Sequence, residues 1–222
     1  MAQTGRKART AAPRVSEPDL PPALGEIDGL KRYDEISESV VLGLSGDVDA
    51  GHAHLSECVL RDVTVDRLDL SGATLADVDI EDLRATELVL RNAGVRRVRL
   101  VGGRIGTLDL SGADVDSLEL RDVRIDYLGL SGSKAQDVKV IDCQLRTVDV
   151  PLATLKRVAF QGCRAEEVDS RDLSATDVDL RGLDAQTFTA VNGLRGATLA
   201  ESQVRELAVQ MALQSGILVT EG

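Results

Sequence analysis

From Leu60 to Ala190 every fifth residue of this chain is apolar, with one exception. Cut from Cys58, the sequence falls into 27 consecutive units: CVLRD, VTVDR, LDLSG, ATLAD and so on to FTAVN. The third residue is Ala, Val, Ile, Leu or Phe in 26 of them, and Ser170 is the exception. The first is apolar or Cys in 25, with Gly103 and Ser133 as exceptions. A gapless fixed period specifies an architecture before any single residue is interpreted. A helix turns every 3.6 residues and a strand alternates by two, so neither keeps a period of five. A short extended stretch followed by a corner does. Residues one and three then point inward, and two, four and five outward. Four such stretches close a square coil of 20 residues.

Stacking every fourth unit supports the longer period. One column reads LDLSG, LVLRN, LDLSG, LGLSG, VDVPL, VDSRD, and the next ATLAD, AGVRR, ADVDS, SKAQD, ATLKR. A third begins with Val or Leu after Cys58. Each side of the square has its own packing rule, and Ser170, beside Ala165 and Ala175, marks the least filled stretch. The units resemble the pentapeptide repeat family, with pattern Ala-(Asp/Asn)-Leu-X-X. Close matches are LDLSG at 68–72 and 108–112, VDLRG at 178–182, ATLAD at 73–77 and ADVDS at 113–117. The resemblance covers residues 42–197 and implies a right-handed handedness. The expected fold is an all-β solenoid, a right-handed quadrilateral β-helix of 20 residues per coil, with a C-terminal capping α-helix.

The ends follow other rules. Residues 1–25 hold four of the five prolines and mixed charge, and are expected to be a disordered tail. Residues 26–41, with Ile27, Leu30, Tyr33 and Ile36, are expected to form a short cap, and the β-helix to run over 42–197. The phase slips by one residue before Val48, which predicts an irregular first coil. Residues 198–222 read as a helix and tail. Thr198 and Glu201 suggest a capping box, and Gly216 a helix exit. Val204, Leu207, Ala208 and Met211 make one apolar stripe, and Val209, Ala212 and Leu213 a second. A helix apolar on two sides is covered on two sides. One side closes the last coil, and the other meets a second subunit. Val204, Leu207, Ala208, Met211 and Leu213 are the candidate dimer contact. The ending, with GLRGATL before it, is similar to actinobacterial pentapeptide-repeat proteins that dimerise through this helix.

A net charge of −11 disfavours direct binding to nucleic acid phosphates. No run is long enough for a membrane span, and no apolar stretch follows the basic residues Arg6, Lys7, Arg9 and Arg14 as a secretory signal would require. The expected setting is cytoplasmic. Cys58, Cys143 and Cys163 occupy inward first slots and read as buried reduced thiols. His52 and His54 have no partners at metal-ligand spacing. The glycines are corners, not a phosphate loop, and the many Asp follow from repeat position. We read no catalytic, metal or cofactor site, and a non-enzymatic protein-interaction module.

Outward charge is uneven. One face repeats Asp69, Asp109, Asp149 and Asp169 in one slot, and an adjacent face carries Asp79, Glu119 and Asp179. These seven are the candidate acidic partner-binding face. Another face stacks Arg84, Arg104 and Arg124, with Arg164 beyond Gln144; Glu87, Asp126, Glu166 and Glu167 are expected to partner them. The family resemblance implies an alternative function, an acidic dimer that mimics DNA, binds DNA gyrase or another type II topoisomerase, and protects it from fluoroquinolones. Residues 58–192 hold 24 acidic and 18 basic residues. Over ~32 Å of stacked coils this is a net charge per ~5.4 Å, against one per ~1.7 Å in duplex DNA. Gyrase-protecting members often place Phe at the third position, where this chain has only Phe160.

Overall fold

The five-residue period folds into a parallel β-solenoid of about eight turns that ends in one α-helix. The structure is a computed structural model and describes residues 10–220. Each regular coil contributes an eight-residue strand and a six-residue strand, as in Thr74–Glu81 and Arg84–Val89. The longer strands stack into an 11-stranded sheet and the shorter into an 8-stranded one. Register advances by one coil at each step, so Leu55, Leu75, Val95, Val115, Ala135 and Leu155 form one column. Leu70, Leu90 and Leu110 form another. Their N–H groups donate to Val89 O, Asp109 O and Gly129 O of the next coil, each at 2.7 Å. The first and third slots fill the interior, and nearly every one of these side chains is buried.

Corners explain the fifth slot. At three of the four corners the backbone enters the left-handed region. Asp62, Asp82, Asp122 and Asp142 have φ of 55°, 51°, 54° and 52°, and Asn92 and Gly112 mark a second corner at 54° and 68°. Asp, Asn and Gly occupy this region at the lowest cost. Many acidic residues are therefore present for a backbone reason. The fourth corner, at Arg67, Glu87, Thr107 and Tyr127, stays out of the left-handed region and accepts long side chains.

The three exceptions to the pattern are accommodated locally. Ser170 is fully buried, with its hydroxyl 3.2 Å from Thr189 O and 3.1 Å from Ala190 O. A satisfied hydroxyl removes most of the penalty of an inward polar group. The Ser133 hydroxyl donates to Leu130 O at 2.8 Å. At Gly103 the backbone of Leu83 occupies the space a Cβ would need.

The coil begins earlier than the period suggested. Gly25–Asp28, Glu35–Ser37 and Ser39–Leu42 are ladder strands, not a separate cap over 26–41. Leu30 is buried there, but Tyr33 is exposed. Gly25 pairs with Ser39 and Val40 with Val59, so the first turns are short and the five-residue rhythm is hidden. The slip before Val48 appears as a register shift between Gly46 and Asp47.

At the other end, helix α1 spans Glu201–Gln214. Thr198 does not cap it, because Ala197–Thr198 is a strand paired with Val178 and Asp179. Ala200 takes the N-cap position, and its N–H donates to Gln203 Oε1 at 2.7 Å. Gln203 Nε2 donates to Leu180 O at 2.9 Å and Leu183 O at 2.8 Å, fastening the helix to the last coil. Gly216, at φ 77°, ends the helix as expected. Its N–H donates to Leu213 O, and that of Ile217 to Ala212 O, the paired bonds of a Schellman exit.

The proline-rich segment departs most from expectation. Residues 1–9 of the expected tail lie outside the described residues. Residues 10–24 are laid along the rod. Main-chain N–H groups of Ala11, Arg14 and Asp19 donate to Asp177, Asp137 and Asp77 at 3.0, 2.8 and 3.0 Å. That of Ser16 donates to Ser117 Oγ at 2.8 Å. The strap crosses the coils in the order opposite to their winding.

Candidate functional site

The acidic columns are internally neutralised. Six of the seven candidate carboxylates pair with an arginine: Asp69 with Arg67, Asp109 with Arg91, Asp169 with Arg171, Asp79 with Arg99, Glu119 with Arg121, and Asp179 with Arg181. Asp149 instead accepts the Tyr127 hydroxyl at 2.7 Å. Burial, then this bond, pushes the Tyr127 phenol up to about 12. Several of these groups also hold the corner that follows. Asp69, Asp109, Asp169 and Asp179 accept the N–H two residues on at 2.9, 2.9, 3.1 and 3.1 Å, the Asx arrangement that shapes a turn. Burial pushes the Asp109 carboxyl up, but the Ser111 hydroxyl and N–H and then Arg91 outweigh it and hold it below its ordinary value. The side chain of Asp79 is only 4% exposed. These acids maintain the coil more than they offer charge to a partner.

A second set occupies the fifth slot, which the repeat turns outward, and is nevertheless buried. Asp77, Ser117 and Asp137 lie beneath the strap. Arg97 and Arg157, each 20 residues on, close ion pairs with Asp77 and Asp137. Arg97 first, and the strap N–H of Asp19 after it, hold the Asp77 carboxyl below its ordinary range against the opposing effect of burial. Arg157 and the N–H of Arg14 do the same for Asp137. An Asp–Arg pair spaced by one coil in the same slot was the available signal. The strap's own N–H groups left none.

The arginine face has the opposite character. Arg84, Arg104, Arg124, Gln144 and Arg164 are in register on successive coils, as the sequence required. Arg104 and Arg124 share Asp126 at 3.2 and 3.6 Å, Arg146 meets Glu166 at 3.3 Å, and Arg164 reaches Asp184 at 3.9 Å. Glu87 pairs with Arg67 instead, and Glu167 accepts the Thr189 hydroxyl. Arg164 is 82% exposed and Arg104 59%. Exposed pairs of this kind are worth roughly 0–1 kcal/mol each, so a partner's carboxylates can replace them at little cost. A shallow groove of about 700 Å³ follows this ladder, lined by Arg104, Arg124, Gln144, Arg146, Arg164 and Gln186 among others.

The candidate dimer residues separate into two groups. Leu207 is buried in the solenoid core, and Met211 packs against it. Both are occupied within the chain, because they lie on the helix side that closes the last coil. Val204, Ala208 and Leu213 are exposed, along with Val209, Ile217 and Leu218.

His52 stacks on Tyr33 with ring centroids 5.3 Å apart. All three cysteines are buried free thiols. Among the described residues no helix is long and apolar enough to cross a membrane. No protein-family model and no curated protein matches the chain. Among solved structures it is similar to a trypsin-treated form of QnrB1, a plasmid-mediated fluoroquinolone resistance protein. That match has 16% identity and a TM-score of 0.27, and covers 90% of this chain and 100% of the other. A likeness this loose assigns no role.

Proposed function

We propose that the chain is a pentapeptide-repeat protein of the cytoplasm, a non-enzymatic scaffold that docks a protein partner on the face of Arg84, Arg104, Arg124 and Arg164. The observation that carries this is the contrast in availability: these guanidiniums project into solvent with loose partners, while most acids of the other columns are held by bonds within the coil. A rigid array of cations at ~4.8 Å spacing suits an acidic segment of a partner protein. The family's alternative, an acidic DNA mimic acting on gyrase or a related topoisomerase, draws support from the corner acids Asp62, Asp82, Asp122 and Asp142. No described Lys or Arg pairs with them within ion-pair distance. That ridge offers one charge per ~5 Å, about a third of the density of duplex DNA.

A single comparison separates the two. Capture of a specific protein from lysate, abolished by Arg104→Glu/Arg124→Glu and retained by Asp82→Asn/Asp122→Asn, which remove two ridge charges and suit the left-handed corners, is expected. The opposite pattern, with inhibition of gyrase supercoiling at micromolar protein, selects the DNA-mimic reading.

The exposed side of α1 supports a homodimer built on Val204, Ala208, Val209 and Leu213 rather than on Leu207 and Met211. Light scattering is expected to give twice the 23.7 kDa chain mass, and Val209→Glu/Leu213→Glu to give that mass once. A wild-type mass of one chain refutes the dimer.

A further inference from the structure

The strap and the coils share a common measure. Asp19 stands at Asp77 and Ala11 at Asp177. Those two anchors are five coils apart, ~24 Å at one strand width per coil. Eight residues of strap cover that distance, ~3.0 Å each. A polyproline II helix rises ~3.1 Å per residue and turns every three, so one of its turns, ~9.3 Å, matches two coils. The anchors follow that ratio. From Asp19 to Ser16 is three residues, and from Asp77 to Ser117 two coils. From Arg14 to Ala11 is again three, and from Asp137 to Asp177 again two. Pro13 and Pro18 lack an N–H and fall between donors, where none is needed. At these four anchors the donors are main-chain groups and the acceptors corner side chains; the Ser117 hydroxyl also donates to Ser16 O at 3.2 Å, and the Thr10 hydroxyl meets that of Thr198 at 2.5 Å.

We propose that Thr10–Asp19 is a removable strap, docked at polyproline II pitch on the corner from Asp77 to Asp177, whose release uncovers this corner while the coils stay folded. Four main-chain N–H bonds, the return bond from Ser117 Oγ to Ser16 O and the Thr10–Thr198 hydroxyl pair hold it, and none of them belongs to the ladder that joins one coil to the next. The Asp77 and Asp137 acceptors are already oriented by Arg97 and Arg157, so the docking site persists when the strap leaves.

Amide hydrogen exchange of the full chain tests this with two variants. Asp77→Gly/Asp137→Gly deletes two acceptors and keeps the left-handed corners, which glycine occupies elsewhere in this chain. Pro13→Ala/Pro18→Ala loosens the strap and leaves every coil residue native. Peptides covering 10–19 are expected to exchange about tenfold faster in both variants, while those covering 68–172 keep wild-type rates in Pro13→Ala/Pro18→Ala, which leaves the Asp77–Arg97 and Asp137–Arg157 pairs intact. Unchanged exchange over 10–19 in both variants overturns the proposal. So does coil exchange that accelerates together with the strap in the proline variant, because the segment would then be a fixed staple that unfolds only with the rod.

Discussion

Gly103→Ala is expected to destabilise the protein by ~2–5 kcal/mol. Gly103 sits in an inward first slot at φ 92°, and a Cβ there would lie 2.1 Å from Leu83 O and 2.7 Å from Leu83 N. Two costs add. A left-handed residue with a side chain loses roughly 1–2 kcal/mol. Forcing two coils apart at a close-packed backbone contact loses a further ~1–3 kcal/mol. Gly132 isolates the first cost: φ is 64° and nothing lies within 4 Å of its Cβ position. Gly132→Ala is expected to cost about 1 kcal/mol. The urea midpoints of the two variants measure the difference. Equal midpoints would mean that the coil spacing relaxes around Gly103 at no cost.

Leu108→Ala is the second large effect. Leu108 is 1% exposed in the centre of the array, with Leu88 and Leu128 in register on either side. The lost contacts and residual cavity amount to ~2–5 kcal/mol. In a stacked array each unit touches only its neighbours, so the loss should stay local. Hydrogen exchange is expected to accelerate in the coils around Leu88, Leu108 and Leu128, and much less near Val178. Uniform acceleration along the whole rod would show that the coils unfold as one block.

The architecture was legible because its cause repeats. A slot that must be filled in every coil writes the same residue class every five positions, and 27 repetitions outweigh Ser170, Gly103 and Ser133. The slip before Val48 was legible for the same reason, since a break in rhythm is visible only against a rhythm. The opening turns from Gly25 were not, because their pairing offsets are short and leave no period. The pairing of the acidic faces was legible only in part. Slot two showed the acids, but the arginine that neutralises six of the seven lies two residues away or in an adjacent coil, and Asp149 meets Tyr127 instead. Asp79 and Arg99 share a slot one coil apart, so that pair was readable. Asp109 and Arg91 share none. The strap was opaque in principle: a segment that binds through its own N–H groups needs little apolar content, and so has the composition of an unfolded chain. The same holds at α1, where periodicity gave two stripes but could not say which would meet the coil; Gln203, bonded to Leu180 and Leu183, settles the rotation.

A solenoid made of interchangeable turns has no intrinsic reason to stop at one size. Between its irregular opening turns and α1 the coils look alike to their neighbours, and a duplicated twenty-residue stretch would fit among them. The strap changes this. It is anchored at two points five coils apart, Asp77 and Asp177, and spans ~3.0 Å per residue where a fully extended chain reaches ~3.3–3.6 Å. One turn inserted between those anchors would move them ~4.8 Å farther apart, to ~29 Å, at or beyond the ~26–29 Å that the eight residues reach when fully extended. The protein thus carries its own tape measure, and a lineage that lengthens the rod must lengthen the tape with it or leave one anchor empty.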